Sequence, residues 1–259
     1  MTKKSEDLAK RSRISTLKMV HSAKASHVGS SLSLIDILAV IYSEVADDSD
    51  AVLVSKGHAA AGTYAVMANV GKFPLEKLET YGMDGSTLGG HVNHTGNEGV
   101  WLSTGSLGHG LPYGIGLAIA QKRRSLGEKT FVIISDGECD EGTTWESALF
   151  AQQFNLNNLV LIIDRNRIQS LAGTEETLRL EPLLDKWKAF NWDACVVDGH
   201  NHLELEKSMQ ASYSPKVVIA NTVKGKGVSF MEDSVAWHYK SPSDEELTEA
   251  LNEIKGSKE

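Results

Sequence analysis

The stretch from Phe131 to Ser170, FVIISDGECDEGTTWESALFAQQFNLNNLVLIIDRNRIQS, contains two apolar runs that each end in polar residues. The first run ends in Ser-Asp-Gly, with the acid at Asp136, and the second ends in Asp-Arg-Asn, with the amide at Asn166. Nearly continuous apolar runs are typical of strands that are buried on both faces. The stretch therefore predicts a strand–helix–strand unit of a parallel sheet.

Other apolar runs, with helical segments between them, extend this unit along the chain. We expect a helix from about Ser5 to His21, another that Ser33 caps, a third that Gly71 closes and a fourth from Gly108. A last helix is expected in SDEELTEALNEIKGSKE. The runs that predict strands are AVLVS, TFVIIS, NLVLIID, DACVVD and KVVIANTV. This alternation predicts an α/β fold, with a doubly wound, mostly parallel sheet and helices on both faces.

The chain shows no internal repeat, low-complexity tract or linker, so residues 1–259 are expected to form a single domain. Residues 82–108 are rich in glycine, histidine and asparagine and lack periodicity. A loop of this length is uncommon in a compact domain unless it is functional. We therefore expect part of the functional site in this loop.

Composition limits the classes of function. The 259 residues carry a formal net charge of −8, which argues against a nucleic-acid partner because such a partner needs a basic surface. Cys139 and Cys195 have no C-x-x-C spacing, so neither a zinc site nor a disulfide framework is indicated. The charged N-terminus has no signal-peptide core, and no apolar run approaches the ~20 residues of a membrane-spanning helix. These features predict a cytoplasmic protein with no membrane partner.

The acid and the amide follow strands whose carboxyl ends meet at one edge of the predicted sheet, where ligands bind in open α/β folds. The side chains of Asp136 and Asn166, together with the backbone carbonyl of Ile168, would supply three oxygen ligands. Mg²⁺ prefers such ligands and usually completes its shell with water and phosphate oxygens. Gly137 would let a diphosphate approach the backbone. The residues thus predict a metal–phosphate site.

An alternative interpretation needs no ligand. Asp136 would cap the helix that follows Gly142, and Asn166 would form an Asx turn, since both residue types are common in caps and turns. For either residue alone this interpretation is favoured. The occurrence of both at matching strand ends favours the metal–phosphate site.

Several segments resemble those of a known family. Asp136-Gly137 followed about thirty residues later by Asn166 resembles the thiamine diphosphate motif, and the surrounding sequence resembles transketolase. The matches extend in order from about residue 10 to residue 243. The segments that carry them are KASHVGSSLS, VSKGHAA, STGSLGHGLPYGIGLAIA, VDGHN and VKGKGVSFMEDSVAWHYKSP.

The resemblance implies roles for particular residues. Mg²⁺ (or Ca²⁺) would be coordinated by Asp136, Asn166 and the carbonyl of Ile168. The other residues implied to contact thiamine diphosphate are His58, Gly105, Leu107, Gly137, Glu141 and His238. The residues implied to be catalytic are His27, His91, His238 and Glu141. The histidines would line the substrate entrance, because imidazoles transfer protons near neutral pH.

Two glutamates and five further histidines have other assignments. Glu141 and Glu146 match glutamates of the family's dimer interface, where paired acids would link two active sites; the alternative is a solvated helix start. Two histidines stay open between ligand contact and surface, His94 and His109. The histidines expected on the surface or in helix packing are His21, His200 and His202.

One catalytic group is expected on another chain. In transketolase the glutamate that activates the cofactor lies in a second, pyrimidine-binding domain. The chain ends at Glu259, where that domain would begin, so it resembles the N-terminal subunit of a split, two-chain transketolase. We expect a C-terminal partner subunit with the pyrimidine-binding domain, most simply in a heterotetramer with two of each chain.

The chain departs from the family pattern at three positions. Val28 and Ser106 replace family prolines, and Ser135 replaces a glycine. The identity of the sugar substrate is therefore left open.

The implied reaction is transfer of a two-carbon ketol unit from a ketose or ketose phosphate to an aldose. One alternative is a subunit of a thiamine diphosphate-dependent 2-oxo acid decarboxylase, or of an enzyme that transfers acyl or glycolyl groups. Another alternative is a non-catalytic regulatory subunit that binds the cofactor. The histidine set and the STGSLGHG segment favour ketol transfer over the first alternative, and the intact set of Asp136, Asn166 and His58 argues against the second.

Overall fold

The computed structural model describes residues 3–256. Within that range the chain forms one sheet of five parallel strands, in the order β1-β2-β3-β5-β4. The strands are β1 Ala51–Val54, β2 Thr130–Ser135, β3 Leu159–Arg165, β4 Asp193–Asp198 and β5 Lys216–Asn221. The predicted α/β fold with a parallel sheet is confirmed. The ends of the predicted domain, residues 1–2 and 257–259, lie outside the described residues.

Helices cover both faces of this sheet. They are α1 Lys3–Ser22, α2 Val28–Val40, α3 Ala60–Asn69, α4 Gly110–Arg124, α5 Gly142–Gln153, α6 Thr174–Thr177, α7 Leu183–Ala189, α8 His202–Ser208 and α9 Asp244–Gly256. The strand pleat divides the core, because Phe131 and Ile133 of β2 pack with α1–α3 whereas Val132 and Ile134 pack with α4, α5 and α7. Every residue of β2 and β3 is buried, as their apolar runs predicted.

The start of α2 differs from the prediction. The helix begins at Val28, and Ser33 lies inside it rather than at its N-cap. The small residues that suggested a loop serve close packing instead: a Cβ on Gly62 of α3 would lie 2.6 Å from the Ser31 carbonyl oxygen. The Ser33 hydroxyl is buried and donates to Asp164 of β3 at 2.7 Å.

Helix α2 continues as one π-helical turn, Ile41–Val45. Together they form Val28–Val45, which is long and apolar enough to cross a membrane by length and composition, contrary to the sequence expectation. In this protein 78% of that window is buried inside the fold. Its apolar character is that of a core helix, packed between α1, α3 and the sheet.

Residues 82–108 form no helix or strand, as predicted. The loop leads from the short 3₁₀ segment Leu75–Thr80 to α4, which begins at Gly110. Gly108 itself has φ +82°, a left-handed conformation that ends the loop before the helix. The loop runs along the carboxyl edge of β1, where Thr104 donates to the Val54 carbonyl at 2.8 Å.

Candidate active site

The strand register brings the predicted acid and amide to one edge of the sheet. Ser135 of β2 is paired with Asp164 of β3, so Asp136 and Asn166 both lie just beyond the same ends. Both side chains are buried, with 1% and 4% exposure. Asp136 Oδ2 accepts from the backbone N–H of Arg167 at 2.7 Å. The carboxylate therefore faces the turn that contains Asn166.

The turn itself also decides part of the alternative interpretation. Asn166 Oδ1 accepts from the N–H of Ile168 at 3.2 Å, which is the geometry of an Asx turn. Asp136 does not cap α5, whose N-cap residue is Glu141 and makes no side-chain cap bond. The Asx turn at Asn166 is thus confirmed, and the helix cap at Asp136 is wrong.

Asp136 is incompletely neutralised by the chain. Its carboxylate lies 3.2 Å from Arg165 Nη1, but the same guanidinium also contacts Glu175 and Glu181 at 2.8 and 3.2 Å. Burial raises the pKa of Asp136, although the Arg167 N–H and the Arg165 guanidinium oppose this shift. A bound cation would favour the ionised form of such a group.

Lys224 lies across from this acid and was missed from the sequence. Its side chain is buried, and Nζ donates to the carbonyl oxygen of Ile168 at 2.9 Å. Nζ also lies 2.8 Å from His238 Nδ1. Burial, and after it the charge of Lys56, lowers the pKa of Lys224 to about 8. The signal for it was the VKGKG segment, which follows β5 and hence reaches the same sheet edge.

Four predicted histidines meet beside Lys224. The ring centroid of His27 lies 5.5 Å from His58, 5.8 Å from His91 and 5.0 Å from His238. The centroids of His58 and His238 are 5.9 Å apart. His91 is exposed and His238 is buried, so the cluster extends from the solvent towards Lys224. The structure thus brings together the imidazoles that sequence motifs had singled out.

Burial and neighbouring positive charge lower the pKa of three of these rings, His27, His58 and His238. Burial, followed by His91 and Lys224, lowers the pKa of His27 to about 4. Burial and Lys224 lower the pKa of His238 to about 3, and burial with Lys56 places that of His58 well below its usual value. Neutral imidazoles carry both a donor and an acceptor nitrogen, which proton transfer requires.

The conformation of His27 is fixed by the same cluster. Its φ is +68°, which is uncommon for a residue with a side chain, and its backbone N–H donates to the carbonyl of His238 at 2.8 Å. Such conformations persist where the surroundings impose them, often at functional sites. The left-handed residue starts α2 and turns the His27 ring towards the other three histidines.

A buried ion pair lies beside the turn that carries His58. Lys56 and Asp164 are fully buried, with Nζ 2.5 Å from Oδ2. Burial would raise the pKa of Asp164, but the Lys56 ammonium and bonds from Thr222 and Ser33 hold it below its usual value. Between Lys56 and His58, Gly57 approaches the Thr104 carbonyl so closely that a Cβ would lie 2.2 Å from it. The glycine lets the long loop lie against the His58 turn.

Gly105 and Leu107, which the resemblance implied to contact the cofactor, lie near the end of the long loop. Gly105 packs against the His91 ring, where a Cβ would lie 3.3 Å from Cδ2. Glu141 is exposed, and a Cβ on Gly108 would lie 2.8 Å from its own Cβ. Glu141 therefore lies beside the loop that carries Gly105 and Leu107, on the protein surface. The structure shows this position and not the predicted role.

Glu138 holds this loop and was also missed. Its buried carboxylate accepts from the Ser55 hydroxyl, from the N–H of Gly108 at 3.0 Å and from the N–H of Ser135 at 3.0 Å. Burial raises its pKa, and these three bonds oppose the shift. Glu138 thus joins the ends of β1 and β2 to the loop. Only its place in the Asp136-Gly137-Glu138 run signalled it.

The remaining histidines lie elsewhere. His94 bonds to Ser103 at 2.7 Å within the long loop, and His21 bonds to Asp244 at 2.7 Å. His200 and His202, expected on the surface or in helix packing, both contact the buried carboxylate of Asp36. Glu146 is exposed on α5. His109, the fifth of these histidines, is exposed and lies at the N-cap of α4.

The donor set fits a hard cation bound through oxygen. Within residues 3–256 no group of three or more His, Cys, Asp or Glu side chains could hold a metal ion. A carboxylate, an amide and a backbone carbonyl are present at one turn, where Asp136 Oδ2 accepts from the N–H of Arg167, between Asn166 and Ile168. In the structure the Lys224 ammonium lies on the Ile168 carbonyl, so a positive group already faces that oxygen. Carboxylate, amide and carbonyl oxygens suit Mg²⁺ or Ca²⁺.

A parallel sheet with this motif at its carboxyl edge defines a thiamine diphosphate-binding α/β fold. The family model described as "Transketolase, thiamine diphosphate binding domain" matches residues 4–258. The chain belongs to the transketolase family and corresponds to the N-terminal, diphosphate-binding subunit of a split enzyme.

Two relatives are similar over nearly their whole length. One of the subunits of the apulose-4-phosphate transketolase of Actinobacillus succinogenes is 38% identical over 96% of this chain and 96% of its own. The 6-deoxy-6-sulfo-D-fructose transketolase subunit SqwG of a Clostridium species is 36% identical over 92% of each chain.

Single-chain transketolases are matched only in part. The crystal structure of the Campylobacter jejuni enzyme superposes with a TM-score of 0.90 at 26% identity, covering 97% of this chain and 42% of that one. The human enzyme is 34% identical over 91% of this chain and 39% of its own. The chain therefore spans about two fifths of these longer relatives.

Proposed function

We propose that this chain and a partner subunit transfer a two-carbon ketol unit from a ketose donor to an aldose acceptor, with thiamine diphosphate and Mg²⁺ as cofactors. The observation that carries the proposal is the meeting of four histidines beside the Asp136–Asn166 edge. Ketol transfer makes and consumes hydroxyl and carbonyl groups, and each conversion moves a proton at oxygen. The cluster supplies imidazoles for these transfers.

The metal-binding residues would be Asp136, Asn166 and Ile168. The raised pKa of Asp136 marks a buried carboxylate that lacks a full counter-charge, which Mg²⁺ would provide. Binding of the metal at the Ile168 carbonyl would displace the Lys224 ammonium. Lys224 would then lie next to the diphosphate, whose negative charge it would offset together with His58 and the open backbone at Gly137.

Thiamine diphosphate would supply the electron sink for cleavage and formation of the carbon–carbon bond. The chain's residues orient the reactants and move protons. His27 and His91, nearer the solvent, would hold protons at substrate oxygens, and the buried His238 would lie between substrate and diphosphate. The Gly105 carbonyl would accept a hydrogen bond from the pyrimidine amine, with Leu107 packing beside it.

The partner subunit would cover the open side of the site. Gly105, His91 and Glu141 are exposed along one rim, and two relatives of similar length are named as subunits. We propose that this partner carries the pyrimidine-binding domain and its activating glutamate, that two of each chain form a heterotetramer, and that Glu141 lies at their interface. The cytoplasm is the proposed location.

The donor class follows from the relatives only as a proposal. By name, one relative acts on apulose 4-phosphate and another on 6-deoxy-6-sulfo-D-fructose. Both compounds are sugars with an anionic group. We propose a ketose with a phosphate or similar anion at the end remote from the carbonyl.

The test is an activity assay of the chain purified alone and of the chain purified with its partner subunit. The pair, supplied with thiamine diphosphate, Mg²⁺, a ketose phosphate and an aldose, is expected to exchange two-carbon units, and the single chain is not. Turnover of pyruvate instead of the ketose would favour the decarboxylase alternative. Cofactor binding without either activity would favour a regulatory subunit.

A further inference from the structure

The turn that follows β5 carries Lys224 into the site. Its sequence is VKGKG, residues 223–227, and both glycines have left-handed backbones, with φ +84° at Gly225 and +94° at Gly227. On its inner side Lys224 reaches Ile168 and His238. The position of the Lys224 ammonium therefore depends on what holds this turn from its outer side.

A buried charged cluster lies on that outer side. The carboxylate of Asp36 in α2 accepts hydrogen bonds from Nη1 and Nη2 of Arg13, at 2.9 and 2.6 Å. The same carboxylate accepts from His200 Nδ1 at 2.6 Å and from His202 Nε2 at 3.1 Å. Burial would raise the pKa of Asp36, but Arg13 and the two histidines hold it well below its usual value. The cluster is built around a buried acid whose charge Arg13 offsets.

Two members of the cluster reach the turn and bracket Lys224. The backbone N–H of Val223 donates to His200 Nε2 at 2.8 Å. Arg13 Nε donates to the Lys226 carbonyl at 3.2 Å. Because His200 Nε2 accepts, its proton is on Nδ1, where it bonds to Asp36. One contact thus precedes Lys224 by one residue, and the other follows it by two.

We propose that Arg13, Asp36 and His200 form a clamp that positions Lys224 for the diphosphate end of the cofactor, with His200 as a positioning residue. The proposal rests on the proposed function, since it assigns a purpose to Lys224 in cofactor binding. An ionised carboxylate fixes the ring of His200, and the ring fixes the turn, in the way that outer partners orient metal-bound histidines. In this proposal His200 acts on Lys224 through the turn and not by direct contact with the cofactor.

The chain offers a matched control in His202. It shares the Asp36 carboxylate with His200, but its other nitrogen bonds to Ser5 Oγ at 2.8 Å and not to the turn. A purely structural cluster would respond alike to the loss of either histidine. If the cluster is a clamp, only the loss of His200 will change the turn at residues 223–227. Cavities of about 580 and 420 Å³ border His200, so a smaller side chain there opens no void in the packed core.

The first measurement is amide hydrogen exchange of the full chain without ligands. In His200→Ala, exchange of the peptide containing residues 222–227 is expected to rise about tenfold or more relative to the unsubstituted chain, as the N–H of Val223 loses its acceptor. His202→Ala is expected to leave that peptide unchanged. Equal exchange in the two variants would overturn the clamp, whatever the cofactor does.

The second measurement is a double-mutant cycle in calorimetric affinity for thiamine diphosphate with Mg²⁺. His200→Ala is expected to weaken binding about tenfold, within the range for outer partners of a bound group. If His200 acts through Lys224, adding His200→Ala to Lys224→Met will cost no further affinity. His200→Gln, whose amide can accept from Val223 and donate to Asp36, is expected to restore most of the affinity.

The outcomes separate the two proposals. If the unsubstituted chain binds the cofactor but the two substitutions add in full, the clamp is wrong and the proposed function stands. If the unsubstituted chain shows no metal-dependent binding, the proposed function fails, and the role of the clamp in cofactor binding fails with it.

Discussion

Asp164, near the end of β3, and Asp136, just beyond the end of β2, are both buried acids, yet their counter-charges differ. Asp164 has its own ammonium in Lys56 and accepts from two hydroxyl groups, which keep its pKa low. Asp136 shares one guanidinium with Glu175 and Glu181, and burial raises its pKa. The fold therefore provides Asp164 with a counter-ion of its own and gives Asp136 only a shared one, which under the proposed function a bound cation would complement.

The largest expected effect comes from breaking the complete pair. Lys56→Met leaves Asp164 charged and without its counter-ion in the core, which should lower the free energy of unfolding by about 3–5 kcal/mol. Denaturant unfolding of the ligand-free chain measures this change. Lys72→Met, which removes the exposed partner of Asp48, is the matched control and should have little effect. Similar losses for the two variants would contradict the contrast between buried and exposed pairs.

At Asp136 the expected effect is stabilisation of the folded chain by a bound ligand. Thiamine diphosphate with Mg²⁺, present at a hundred times its dissociation constant, should stabilise the folded chain by about 2.7 kcal/mol and raise its melting temperature. Thermal unfolding with and without a chelator measures the shift. In Asp136→Asn the shift should disappear, whereas the ligand-free stability should stay close to that of the unsubstituted chain. A variant that keeps the full shift would place the metal elsewhere.

A further expected effect is a pH dependence of stability from the histidine cluster. The pKa values of His27 and His238 fall from 6.5 in the unfolded chain to about 4 and about 3 in the fold. As pH falls below 6.5 the unfolded state takes up protons that the folded state does not, so stability decreases towards pH 3–4. Denaturant unfolding at pH 7 and pH 5 should show this loss, and His27→Gln should reduce it. An equal loss in the variant would assign the dependence to other groups.

The strands, the acid and amide that follow them and the four histidines could be predicted from short stretches of the sequence. Fully apolar strands followed by Asp136 and Asn166 predicted the sheet and its ligand edge, because parallel strands end together. Motif context found the four histidines, which the fold does gather. The start of α2 was missed because Gly29 to Ser33 read as loop composition, whereas small residues also allow helices to pack closely.

Residues that act through distant partners could not be predicted. Lys56, Glu138 and Lys224 owe their roles to strand ends that are far apart in sequence and meet only after folding. His200 had been expected on the surface or in helix packing, because nothing near it in the chain reveals Asp36 or the turn after β5. Which buried acids obtain a counter-ion is therefore decided only when the strand ends meet in the folded sheet.

The most direct test of the account is calorimetric titration of thiamine diphosphate into the chain, with Mg²⁺ and with the metal removed, for the unsubstituted protein and for Asp136→Asn. The account predicts metal-dependent binding to the unsubstituted chain, and its loss in the variant. Equal affinity in both proteins, or binding that ignores the metal, would contradict the assignment of Asp136 as the acid completed by a ligand.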